Sequence, residues 1–209
     1  MQHSLSTDPR INHKWEVINR GFVGSTSEDW LPHWSKKPAR FAWFVSNTLW
    51  KDTFESEKGI SDAEVVLVVV GSQDHRSARR LLRGNVQVTV KNLKTIIVEL
   101  LERGKIVSAA YLLPEKDKKN SMVEERNRLL EELFKSLKED PKYEKRFIEG
   151  PKLHYAMYSR AGRVDGFHLN SEGYKRVAQS WYQKISNEFV KVQWNSWKQT
   201  LLEGEIEKK

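Results

Sequence analysis

The clearest pattern along the chain is an uninterrupted aliphatic run, "VVLVVV" from Val65 to Val70, closed by Gly71. All but one of its residues are β-branched, and a run with no polar alternation suits a strand covered on both faces of a parallel sheet. It predicts a central strand. Downstream, Val90, Leu93, Ile96, Ile97, Leu100 and Leu101 recur at helical spacing and Gly104 follows as a C-terminal cap, predicting an amphipathic helix. "KIVSAAYLLPE" predicts a strand stopped by Pro114, and "SMVEERNRLLEELFKSLKED" a second amphipathic helix with a solvated charged face. "KLHYAMY" (Lys152–Tyr158) predicts another strand, and "SEGYKRVAQSWYQKISNEFVKV" a long last helix. Near the N-terminus, "WEVINRGFVGSTSEDW" predicts a short strand around Val17 and Ile18, a loop with two glycines, and a helix start capped by Ser or Thr. The aromatic "KKPARFAWFVSNTLW" keeps no single face and predicts helical or irregular packing. Strands alternating with helices define an α/β layered fold with a mostly parallel sheet.

Length changes this picture little: 209 residues with eight tryptophans suffice for one ordinary core, so residues 1–209 are expected to form a single domain. No apolar run approaches the roughly 20 residues of a membrane-spanning helix, and "MQHSLSTDPR" lacks the apolar region of a signal peptide. The expectation is a soluble chain, cytoplasmic by default. The absence of cysteine excludes disulfides, thiolate metal sites and cysteine nucleophiles. A net charge of +8 would suit an anionic partner, but its densest clusters, His75–Arg83 and Lys116–Lys119, come without a nucleic-acid-binding signature. A solvated basic surface is the better reading, and a nucleic-acid partner is disfavoured. His13, His33, His75 and His154 lack metal-ligand spacing, so neither a metal nor a cofactor is expected.

In such folds functional residues gather in loops at the carboxyl ends of strands. Three loops qualify: Asn19–Ser27, Gly71–Arg76 and Asp165–Asn170. In the last, His168 could accept a proton from a hydroxyl nucleophile while Asp165 fixes its tautomer. In the first, Gly24 would let a backbone N–H approach a developing oxyanion, and in the second the Gln73 amide offers another donor. Together these serve acyl transfer. Each also has a bland reading. Asp165 and His168 could cap the last helix, Gly24 could be a turn glycine, Gln73 and Asp74 a polar strand terminus, and Ser25 a helix cap.

The ordered blocks "INRGFVGSTS", "VVLVVVGSQD" and "DGFHLNSEGY" resemble the SGNH hydrolases, also called GDSL esterases and lipases, from about Val17 to Ser186. That resemblance implies a three-layer α/β/α sandwich with a five-stranded, flavodoxin-like parallel sheet. It implies Asp165 and His168 as triad acid and base and Gly24 as oxyanion donor, with Gln73 standing where the family has asparagine. It also implies a small ester or acetylated substrate. The family's nucleophilic serine lies in a Gly-Asp-Ser-Leu element after the first strand, a helix of some twenty-odd residues ahead of the second. Here fifteen residues precede Glu16, and "QHSLST" offers Ser4 with Gln2 and His3 in place of glycine and aspartate. The expectation is therefore an SGNH scaffold without its first strand, truncated or impaired as a hydrolase, with exposed strand edges open to self-association. The alternative is a catalytically inactive homologue that acts as a binding or structural protein.

Overall fold

In a computed structural model, which describes residues 2–11, 15–33, 48–56, 60–74, 85–113, 121–153, 162–164 and 168–206, the aliphatic run forms strand β1 (Val65–Val68). It pairs in parallel with β2 (Ile106–Ala109), Val65 opposite Ile106, and β2 pairs in parallel with β3 (Phe147–Glu149), Val107 opposite Phe147. The order β1-β2-β3 makes β2 the middle strand and puts β1 at an edge among the described residues. The central position expected of β1 is thus not observed, and three of its four residues are only half-buried.

Alternation along β1 explains its composition. Val66, Val68 and Val70 face a core shared with helices α3 (Val86–Glu102) and α4 (Ser121–Glu139), whereas Val65 and Leu67 face a second core. That second core is built by Leu5 of α1 (Gln2–Thr7) and by Trp181, Ile185 and Phe189 of α5 (Ser171–Ile206). Helices therefore cover both faces of the sheet, the α/β/α sandwich that the resemblance implies. Both faces of the run are needed, one per core.

The two predicted amphipathic helices form where expected. In α3 the Asn85 side chain accepts from the Gln87 N–H at 3.0 Å, and Gly104, at φ 81°, ends the helix in the left-handed region that glycine enters without a Cβ clash. In α4 the stripe Val123, Leu130, Phe134 and Leu137 is buried, while Arg128 bridges Glu125 at 2.8 Å and Glu132 at 2.5 Å on the solvated face. The short helix α2 (Leu49–Phe54) is capped by Thr48 and docks through the fully buried Trp50.

Two expected strands are corrected. Val17 and Ile18 take no regular structure and are 41% and 46% exposed. Neither pairs with β1. The strand expected over Lys152–Tyr158 is found earlier, at Phe147–Glu149. Lys152 and Leu153 lie outside any strand, and residues 154–158 lie outside the described residues. Gly150 permits the shift: a Cβ there would sit 2.6 Å from the Ala109 carbonyl oxygen, so only glycine lets this segment close against β2.

The last helix runs well past Val192, to Ile206. Its first half is anchored: Trp181 Nε1 donates to Ser108 Oγ at 3.1 Å, and the Tyr182 hydroxyl donates to Asp8. Arg10 holds Asp8 at 2.7 Å and donates to Asn187 at 3.0 Å, tying the segment after α1 to α5. The second half exposes Trp194, Trp197, Leu201 and Leu202. Among the described residues no helix is long and apolar enough to cross a membrane.

Candidate active site

Two of the three predicted loops meet. The first is a turn closed by the Ser25 N–H donating to the Phe22 carbonyl at 3.2 Å, with Gly24 in its third position at φ 73°. A positive φ at that position is the requirement of a type II turn and the reason glycine stands there. The second follows β1 directly: Gly71, at φ 103°, accepts from the Asp74 N–H at 3.1 Å, and the half-buried Gln73 lies inside that turn. A Cβ on Gly71 would fall 2.8 Å from Thr89 Cγ2, so the turn is seated hard against α3.

A fully buried carboxylate joins them. Asp74 Oδ1 accepts the Ser27 N–H at 2.8 Å, and its Oδ2 accepts the Ser27 hydroxyl at 2.6 Å and the Thr89 hydroxyl at 2.7 Å. Asn92 Nδ2 donates to Ser27 Oγ at 2.9 Å, which completes the buried cluster. Within the first loop, Asp29 accepts from the Thr26 N–H at 2.8 Å and from its hydroxyl at 2.7 Å. Arg126 of α4 is buried nearby; burial pulls its guanidinium below the usual value and the Asp74 charge acts against that.

The serines of the first loop are committed. Ser25 Oγ donates to the Phe22 carbonyl at 2.8 Å and accepts from Trp30 Nε1 at 3.0 Å. That is the turn-stabilising role, and it occupies the hydroxyl. Ser27 is wholly buried, with no access to a substrate.

The third loop is built differently. His168 is exposed, its carbonyl accepting the Val164 N–H at 3.0 Å within an antiparallel bridge of Arg163 and Leu169. Asn170 then caps α5, its side chain accepting the Gly173 N–H at 2.9 Å. Asp165 lies outside the described residues. Ser4 falls within α1, the helix that packs against α5.

A family model for the GDSL-like lipases and acylhydrolases matches residues 1–181. The chain belongs to that family. No curated protein sequence matches it. A solved structure from Streptococcus pneumonia, described as a candidate platelet activating factor, is similar at 16% identity and a TM-score of 0.44, over 61% of this chain. This GDSL-family chain spans 60% of the length of that one.

Sequence reasoning missed Ser27, Thr89 and Asn92 as parts of the site and gave Asp74 no role beyond a possible polar strand end. One signal was present. Thr89 and Asn92 interrupt the apolar face of α3 one turn apart, and both are buried. Buried polar side chains at helical spacing require partners, which here come from the two loops.

Proposed function

We propose that this GDSL-family chain is an ester hydrolase scaffold for small ester or O-acetyl substrates. In this reading His168 is the general base, Asp165 orients it, and the Gly24 N–H and the Gln73 amide stabilise the oxyanion. The observation that supports the reading is that Asp74, the residue after Gln73, accepts the Ser27 N–H and hydroxyl and so ties the loop of Gly24 to the turn after β1. Gln73 has one methylene more than asparagine, and an oxyanion donor displaced by about 1 Å costs on the order of a hundredfold in rate. Ser4 is the candidate nucleophile.

A second reading has its own support. Ser25 is bonded at both ends and Ser27 is fully buried, so neither serves as nucleophile, and Ser4 lies on a helix of six residues. A homologue without a working nucleophile would keep the fold for binding alone.

Hydrolysis of an activated acetate ester separates the two. Slow turnover lost in both Ser4→Ala and His168→Ala supports the hydrolase. Turnover at the buffer rate that neither variant changes supports the binding protein.

A further inference from the structure

We propose that Asp74 is a positioning residue. Its carboxylate holds the Gly24 turn as a body at a fixed place relative to Gln73, and its kinetic consequence rests on the hydrolase reading above. Gln73 immediately precedes Asp74, and Gly24 lies three residues before Ser27, whose N–H and hydroxyl the carboxylate accepts at 2.8 and 2.6 Å. The same carboxylate takes the Thr89 hydroxyl at 2.7 Å, so the bracket is referenced to α3. Each of the two donors would thus sit a few bonds from one fully buried anchor.

The rest of the first loop does not depend on Asp74 for its own shape. The Ser25 N–H bonds Phe22, the Asp29 N–H bonds Thr26 at 3.2 Å, and the Asp29 carboxylate takes the Thr26 N–H and hydroxyl. Cutting the bracket should therefore leave the loop folded and let it shift as a unit. That displaces an oxyanion donor without removing it, a defect felt in the transition state far more than in substrate binding.

Amide hydrogen exchange on the full chain tests the bracket without needing activity. In Asp74→Ala, exchange of the Ser27 amide should quicken about tenfold or more, while the Asp29 amide, held within the loop by Thr26, keeps its wild-type rate. Asp74→Asn keeps an acceptor for the Ser27 N–H and should recover most of the protection. Should Asp74→Ala fail to fold, Ser27→Ala, which keeps the backbone bond and loses both hydroxyl bonds, should give a smaller change of the same local kind. An unchanged residue-27 amide, or an Asp29 amide quickened by the same factor, would overturn the proposal.

Kinetics supply the second arm. With an activated acetate ester, Asp74→Ala should lower kcat about tenfold to a hundredfold with KM within about twofold, and Asp74→Asn should restore most of kcat. If wild type shows no turnover while exchange changes as expected, the bracket stands and the hydrolase reading falls. If wild type turns over and kcat is unaffected by Asp74→Ala, the positioning role is wrong.

Discussion

The two sides of the candidate site are built by opposite means. On the Gly24–Gln73 side, a buried carboxylate, three hydroxyls or amides and a seated glycine turn join segments separated by 47 residues. On the His168 side, a short backbone bridge between Arg163 and Leu169 carries an exposed imidazole to the start of α5. In the hydrolase reading proposed above, the difference fits the chemistry each side would perform. Oxyanion donors act by being immobile before charge develops, so their supports belong in the low-dielectric interior. A general base must reach substrate and exchange protons with water, which suits a surface loop at a helix start.

The largest stability effect should come from cutting the buried side. Asp74→Ala leaves the Ser27 N–H and two hydroxyls without their acceptor, so a loss of about 3 kcal/mol is expected in chemical denaturation. A loss under about 1 kcal/mol would show that water replaces the carboxylate, and the contrast between the two sides would collapse. Ser25→Ala should cost about 1 kcal/mol, because it removes one hydroxyl bonded to Phe22 and Trp30, and should leave ester turnover unchanged. Lost turnover in that variant would make Ser25 the nucleophile. On the exposed side, His168→Ala should change stability by no more than about 0.5 kcal/mol, measured in the same denaturation experiment.

A smaller effect concerns acid. The Arg10 guanidinium, helped by the Tyr182 hydroxyl, holds the Asp8 carboxyl well below the usual carboxylate range. A carboxyl with a depressed folded pKa contributes stability at pH values above its unfolded pKa of about 3.9, and that contribution is lost as pH falls through the folded value. The docking of the α1 segment on α5 should therefore weaken only below about pH 4, followed by fluorescence of the neighbouring Trp181. In Asp8→Asn that acid step should be absent.

How much was legible in advance depended on element length. Helices α3 and α4 span enough turns for their apolar stripes to repeat, so periodicity located them closely, and "VVLVVV" announced a strand by composition alone. β3 has three residues, too few to alternate, and the more apolar Leu153–Tyr158 stretch drew the assignment away from it. Val17 and Ile18 are β-branched yet exposed, and among the described residues neither joins a strand. At the site, Gly24 and Gln73 were visible as block residues, whereas the bracket was not. Periodicity reports which face of one element is buried, and it carries no information on which loop will meet Asp74 across 47 residues.

The central claim is that the pinned Gly24–Gln73 side works with His168 in ester hydrolysis. The most direct measurement is turnover of an activated acetate ester by the chain, alone and with His168→Ala or Gln73→Ala. The account predicts turnover above the buffer rate, abolished by His168→Ala and lowered about tenfold or more by Gln73→Ala. Turnover that neither substitution reduces would contradict it.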